Sequence, residues 1–261
     1  MSVAVILGSA WGEPVVGEKP LQPESMETRF GTTVLHRYDQ AGKDAWVLFR
    51  HGVPHQYLPN QIPYRAHAAA LKAVGCEALL VTSSVGILDT ALPLDAPILM
   101  GDLLMLENRL PDGSACTVFN DTGGDQGHLV FDEGPFSAAL SAQVSDMAVT
   151  LGFPPPPGAV FAYAMGPRNK TTAENAAWQR LGAQINSMTV GPEVVLANEL
   201  EIPVAGVAVG HKYSVPGMHG PVDMSSIAES LDRGRALIAD LACAFLKGAE
   251  PVPFRNHIYR Y

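Results

Sequence analysis

Cationic surface is what this chain most lacks. Its 17 Lys and Arg are outnumbered by 26 Asp and Glu, for a formal net charge of −9. That balance argues against a nucleic-acid surface or a basic membrane anchor, so any anion must be met in a local pocket. No apolar run reaches the ~20 residues of a membrane span, and the opening stretch lacks the basic n-region of a secretory signal. A soluble, cytoplasmic protein is expected. Cysteine is scarce too: Cys76, Cys116 and Cys243 are odd in number, widely spaced and without a CxxC pair. Reduced, mostly buried thiols fit better than a disulfide framework. His67, His219 and His257 form no HxH or HExxH pattern, so no metal is expected. Repeats and low-complexity linkers are missing. Charged residues make up only 16% of the chain, which hints that some surface is covered in an oligomer.

What is present is apolar. Hydrophobic residues are 47% of 261, and the mean hydropathy is +0.11. That suffices for one well-cored domain, although two small ones would also fit the length. Residues 3–7 form a short continuous apolar run that stops at Gly8-Ser9, as a buried strand before a turn would. Residues 45–49, 78–82, 160–164, 185–188 and 204–209 read similarly. Helical spacing is predicted over 64–74, which ends at Gly75, and over 138–151, 173–181, 193–200 and 225–246. Strands alternating with helices predict a three-layer α/β/α fold around a central sheet. Residues 106–135, rich in Gly, Asp and Asn, are long for a structureless loop and point to an active-site or interface role.

Ligands of such sheets bind at the carboxyl ends of strands. The residues just after the apolar runs are Ser9, Arg50-His51, Ser83-Ser84, Met188-Thr189 and Gly210-His211. Hydroxyls, a guanidinium and imidazoles at five strand ends suit an anion pocket, because phosphate needs charge-assisted donors and arginine presents a matching fork. Each has a plainer reading, as a turn, loop or surface residue.

Two blocks carry a resemblance. Residues 48–88, LFRHGVPHQYLPNQIPYRAHAAALKAVGCEALLVTSSVGIL, resemble the signature of the trimeric purine nucleoside phosphorylase and methylthioadenosine phosphorylase family. The second block runs from Gly166-Pro167-Arg168 through Met188-Thr189 to Pro192-Glu193-Val194-Val195-Leu196-Ala197 and is similar to the family's second half. The likeness spans about residues 3–248 and implies one phosphorylase domain with a mixed central sheet and a tail over 249–261. The family usually has Gly or Ser where Ile87 stands. The Arg50-His51-Gly52 form resembles the methylthioadenosine branch; the purine nucleoside branch carries an arginine where Val53 stands.

The resemblance implies phosphorolysis of a nucleoside to free base and ribose 1-phosphate, with inorganic phosphate as co-substrate and no cofactor. Phosphate would be held by Ser9, Arg50, His51, Ser83, the backbone of Ser84, and Thr189. Related nucleosidases, which use water, carry Met-Glu where this chain has Met188-Thr189; a glutamate repels phosphate and a threonine donates to it. Met188 would pack beneath the sugar, with Val85 and Gly86 beside the nucleoside. The base pocket departs from the family. Asn169 replaces a phenylalanine, Lys170 a glutamate, His211 an Asn or Asp that bonds purine N7, and Tyr213 an Asp of the adenine-specific branch. A protonated His211 could act as general acid on the leaving ring nitrogen, or stand behind the site as scaffold. Lys170 is a pure donor and suits a carbonyl or anionic substituent. Met224 matches a histidine that bonds the 5′-hydroxyl, so a 5′-deoxy or 5′-methylthio group fits. His128 resembles a residue that reaches a neighbour's site in a homotrimer. The tail could clamp a neighbouring subunit or fray. A hydrolytic nucleosidase and an idle nucleoside-binding homologue remain as alternatives.

Overall fold

Strand order follows from which apolar runs are buried on both faces. In the computed structural model the elements begin with β1 (Ser2–Leu7), β2 (Val15–Val16), β3 (Lys19–Pro20), β4 (Gln22–Thr28), β5 (Gly31–Arg37) and β6 (Asp44–Phe49). Then come α1 (Tyr64–Ala73), β7 (Cys76–Ile87), β8 (Pro97–Leu104), β9 (Gly127–Val130), α2 (Ala138–Thr150) and β10 (Ala159–Tyr163). The chain closes with α3 (Thr172–Arg180), β11 (Ile185–Ser187), α4 (Gly191–Glu199), β12 (Val204–Tyr213), α5 (Met224–Gly248) and β13 (His257–Arg260). The structure describes residues 2–9, 11–17, 19–120, 126–215 and 224–260, with backbone alone at 224–228 and 231.

Among the described residues, nine strands form one mixed sheet in the order β11-β10-β8-β12-β7-β1-β6-β5-β4. β1 is parallel to β6 and β7, and β12 is parallel to β7 but antiparallel to β8. Alternation along β1 feeds two cores. Val3, Val5 and Leu7 join Leu140 and Val144 of α2 and Leu241 and Phe245 of α5 on one face. Ala4 and Ile6 join Leu71 of α1 and Val194 of α4 on the other. The expected helix–sheet–helix layering is therefore what the chain adopts.

The 12-residue β7 is long enough to serve two partners along its length. Beyond its pairing with β1 and β12, its end turns to meet β11 antiparallel, with Ile87 opposite Ile185 and Gly86 opposite Asn186. That pairing closes β7, β12, β8, β10 and β11 into a ring, a feature the short apolar run 78–82 did not announce. Other strands were also missed. β8 carries Pro97 at its start and Gly101 inside, punctuation that masks a strand. β4 and β5 form a largely polar hairpin paired from Gln22↔Arg37 to Thr28↔Gly31. The tail does not fray: β13 pairs antiparallel with β9 of its own chain, which also gives part of the long 106–135 segment a partner.

Candidate active site

A cavity of about 560 Å³ opens where β1, β6, β7, β11 and β12 end. At one side Arg50, just past β6, is 1% exposed. Its Nε and Nη2 donate to the two carboxylate oxygens of Glu193 at 2.5 Å each, and Nη1 donates to the Thr82 carbonyl at 2.9 Å. Guanidinium carries five N–H donors, so this fork-on-fork pairing commits three and leaves one each on Nη1 and Nη2. The backbone N–H of Arg50 donates to the Leu7 carbonyl at 3.0 Å, tying the ends of β6 and β1 together. Gly8 follows, and there a Cβ would stand 3.3 Å from Arg50 Nη1, so the turn bearing Ser9 lies directly against the guanidinium.

His51 is aimed by its own loop, with Nδ1 2.7 Å from the Tyr57 carbonyl and its ring stacked 4.6 Å from that of His55. Burial, then the Arg50 charge, pushes its pKa down to about 4. The neutral ring spends its N–H on that carbonyl and keeps a lone pair at Nε2. Ser83 is buried within β7, where its Oγ donates to the Ser84 carbonyl at 3.1 Å and lies 3.2 Å from Ser187 Oγ, whose hydroxyl is placed to donate back to it.

Thr189 is buried and lines the same cavity. The next residue, Val190, has φ 74° and ψ −50°, and Gly191 N–H donates to the Thr189 carbonyl at 2.9 Å. This is a γ-turn of the strained hand, and a β-branched residue at positive φ costs roughly 1–3 kcal/mol. The turn starts α4 immediately after Thr189, so the Thr189 hydroxyl and the Glu193 carboxylate that grips Arg50 sit four residues apart on one rigid support.

The other side of the cavity is built differently. Gly86 has no room for a side chain, since a Cβ would lie 2.5 Å from Ser214 Oγ and 3.1 Å from Asn186 Oδ1. Asn186 Nδ2 donates to Asn175 Oδ1 at 3.0 Å, leaving buried Asn186 Oδ1 without a partner among the described residues. Lys170 stands in a fixed loop: Arg168 donates to Glu174 at 2.7 and 2.8 Å, and Glu174 and Thr171 form a reciprocal cap on α3. Burial, with exposed Lys212 second, lowers the Lys170 pKa to about 8. His211 occupies a β-bulge, because β12 shifts register against β7 between Gly210 and Lys212. A bulge re-aims its extra residue, and His211 lines the cavity. Burial, then Lys212 and Lys170, pushes its pKa down to about 4. A protonated His211 is therefore not the resting state at neutral pH, and the ring meets a ligand with one N–H. Tyr213 donates its hydroxyl to the Leu92 carbonyl at 3.0 Å and turns its ring toward the cavity.

The structure thus gathers Ser9, Arg50, His51, Ser83, Ser84, Gly86, Asn169, Lys170, Met188, Thr189, His211 and Tyr213 around one space. Val85 is the exception: its side chain, 1% exposed, belongs to the core. His128 stacks on Tyr259 at 5.1 Å and borders a separate cavity with Phe131 and Glu199. Met224 opens α5, but its side chain lies outside the described residues, as does the whole of His219. Sequence reasoning passed over Glu193, Asn175, Asn186, Lys212 and Ser214. An acid set at the start of the apolar run GPEVVLA was the signal for Glu193. No Asp or Glu lines the cavity among the described residues.

Comparison with known proteins gives the family and the fold. The sequence profile described as "Phosphorylase superfamily" matches residues 2–247. A probable 6-oxopurine nucleoside phosphorylase of Thermococcus kodakarensis is 32% identical over 220 residues, covering 81% of this chain and 79% of that protein. A probable S-methyl-5′-thioinosine phosphorylase of Pseudomonas syringae pv. tomato is 30% identical and covers 90% and 94%. The solved methylthioadenosine phosphorylase of Schistosoma mansoni, in complex with adenine, superposes with a TM-score of 0.82 at 21% identity, covering 95% and 92%. At that identity the likeness carries the fold alone.

Proposed function

The chain belongs to the phosphorylase superfamily, and from that premise we propose that it cleaves the N-glycosidic bond of a purine-like ribonucleoside with inorganic phosphate. One observation carries the reading: a cavity lined by Arg50, Ser9, Ser83 and Thr189 at its strand ends, and by no carboxylate among the described residues. Phosphate meets donors there and no like charge. Its dianion stabilises the oxocarbenium character that develops at the anomeric carbon and then captures that carbon with inversion, while the base departs. Arg50 supplies its two uncommitted N–H groups. His51 accepts from a protonated phosphate oxygen through its bare Nε2. Ser84 adds its backbone and Met188 packs beneath the sugar.

Lys170 and the neutral His211 receive the base. Both present donors, which suits a carbonyl edge better than an exocyclic amine. The relatives named for 6-oxopurine and thioinosine substrates point the same way. Gly86, Asn169 and Tyr213 shape that end, and Met224 is assigned to an apolar 5′ group such as deoxy or methylthio. The chain acts as one domain with phosphate as co-substrate and no cofactor, in the cytoplasm. A homotrimer is supported by exposed apolar side chains, Phe131 at 44% and Tyr259 at 51%, beside His128. From that surface His128 would reach a neighbouring copy's cavity rather than its own.

The deciding experiment measures base release from inosine, adenosine and their 5′-methylthio forms with and without phosphate. Release of the 6-oxo base only when phosphate is present is expected. Equal release in phosphate-free buffer would overturn phosphorolysis in favour of hydrolysis.

A further inference from the structure

Asp95 has no role in the phosphate or base contacts described above, yet it is held in a conformation that few residues other than glycine adopt. Its φ is 55°, in the left-handed region. Its backbone N–H donates to the Gly210 carbonyl at 3.0 Å, one residue before the bulged His211. Its carboxylate accepts from Ser230 Oγ and, at 2.9 and 3.3 Å, from Arg233 Nη2 and Nε. Ser230 is buried and belongs to α5. Three residues earlier in the same loop, the Leu92 carbonyl takes the Tyr213 hydroxyl at 3.0 Å. The loop between β7 and β8 therefore grips β12 on both sides of His211 and Lys212, and Asp95 extends that grip to α5.

A bulge is the weakest point of a ladder, because its extra residue has no cross-strand partner. The aim of His211 is set by whatever holds the backbone on either side of it. A strained residue that persists marks a place where the surroundings demand it. We propose that Asp95 is a positioning residue for nucleoside binding: it locks the His211 bulge to α5 and so fixes the wall that meets the base. This rests on the reading of His211 as part of the base pocket. Asp95 touches neither substrate, and the phosphate half of the cavity hangs from β1, β6, β7 and the turn into α4, while the described hydrogen bonds of Asp95 go to β12 and α5.

The test is Asp95→Gly, which relieves the backbone and removes the clamp. With nucleoside and phosphate varied in turn, the nucleoside KM should rise about tenfold, with the phosphate KM within twofold. Asp95→Asn, which keeps an acceptor for Ser230, should fall between. A nucleoside KM equal to wild type overturns the proposal, as does an equal rise in both constants. Amide hydrogen exchange on the free protein gives a readout independent of turnover. Exchange should quicken at residues 209–213 and 229–233 in Asp95→Gly, and unchanged protection there overturns the clamp. If wild type shows no phosphate-dependent base release, the functional reading fails, and the exchange result still decides the role of Asp95. If Asp95→Gly does not fold, Asp95→Asn carries both readouts, with a KM shift of at least threefold.

Discussion

Replacing Glu193 by glutamine asks whether the carboxylate aims Arg50 or only neutralises it. Both side chains are almost fully buried, at 1% and 2% exposure, and are joined by two 2.5 Å contacts. Removing one partner of such a pair costs about 3–5 kcal/mol. Glutamine keeps one acceptor, so about 3 kcal/mol is expected, or a Tm lower by roughly 6–12 °C in phosphate-free buffer. Two effects on phosphate then oppose each other. A bare Arg50 attracts an anion more strongly, but a guanidinium facing an amide N–H must rotate, and its two free donors lose their aim. Because the glutamine holds the guanidinium at one point where the carboxylate held it at two, with the Thr82 carbonyl as its other fixed partner among those described, the loss of aim should win, weakening phosphate about tenfold, or ~1.4 kcal/mol. Linkage turns this into a melting experiment. At 100 times the wild-type Kd, phosphate stabilises wild type by about 2.7 kcal/mol and a tenfold weaker binder by about 1.4 kcal/mol. The stability gap between the two proteins should therefore widen from about 3 to about 4 kcal/mol on adding phosphate. A gap that closes would show that Glu193 acts as a counter-charge, and the aiming argument would be wrong.

Gly8→Ala places a methyl 3.3 Å from Arg50 Nη1, so the phosphate KM should rise about three- to tenfold with little change in Tm; steady-state kinetics with phosphate varied checks this, and an unchanged KM would remove Arg50 from the phosphate site. Lys170→Met deletes a charge-assisted donor worth about 1.5–3 kcal/mol, so kcat/KM for 6-oxo nucleosides should fall roughly 10- to 100-fold while 6-amino nucleosides change little. Equal losses on both would dissociate Lys170 from the base. Acid should destabilise the fold. His51 and His211 are pushed down to about 4, and His67 to about 3, largely by burial. The unfolded chain takes up these protons near pH 6.5, so stability is complete above that value and is lost as pH falls from 6.5 toward 4, by up to about 1.4 kcal/mol per pH unit for each imidazole. Urea melts at pH 7, 6 and 5 measure it, and a flat profile would contradict the buried neutral state.

How far the sequence could be read depended on what kind of signal each element emits. β1, β6 and the middle of β7 are buried on both faces, so continuous apolar runs announced them, and the polar residues just after them marked one side of the cavity. The polar hairpin of β4 and β5, and β8 with its Pro97 and Gly101, emit no such run and were invisible. The ring closure of β7 onto β11 is a long-range pairing with no local cue. At the site, Ser9, Arg50, His51, Ser83 and Thr189 were legible because hydroxyls and cations after strands have a chemical reason to be there. Glu193 and Asp95 were not, because each acts through another side chain rather than on the ligand space. Val85 illustrates what spacing does not show: it stands between two cavity-lining residues, Ser84 and Gly86, but its own side chain packs in the core.

The two halves of the cavity also differ in how their cations are held. Arg50 is buried but neutralised by a bidentate carboxylate and fixed on strand and helix, and that pairing offsets the cost of taking its charge out of water. Lys170 has no such partner among the described residues; Glu174 lies near enough to oppose the lowering of its pKa to about 8 but is itself engaged by Arg168 and Thr171. An ammonium so placed gives up its proton more readily than an exposed lysine. A base that gains electron density as its glycosidic bond breaks is the partner that would best relieve that instability, and it does so most in the transition state, where the relief accelerates the reaction instead of merely tightening the ground state. On the proposed roles of the two cations, the one that is poorly satisfied in the free protein is thus the one whose interaction grows along the reaction coordinate, and the well-satisfied Arg50 is left to hold phosphate still.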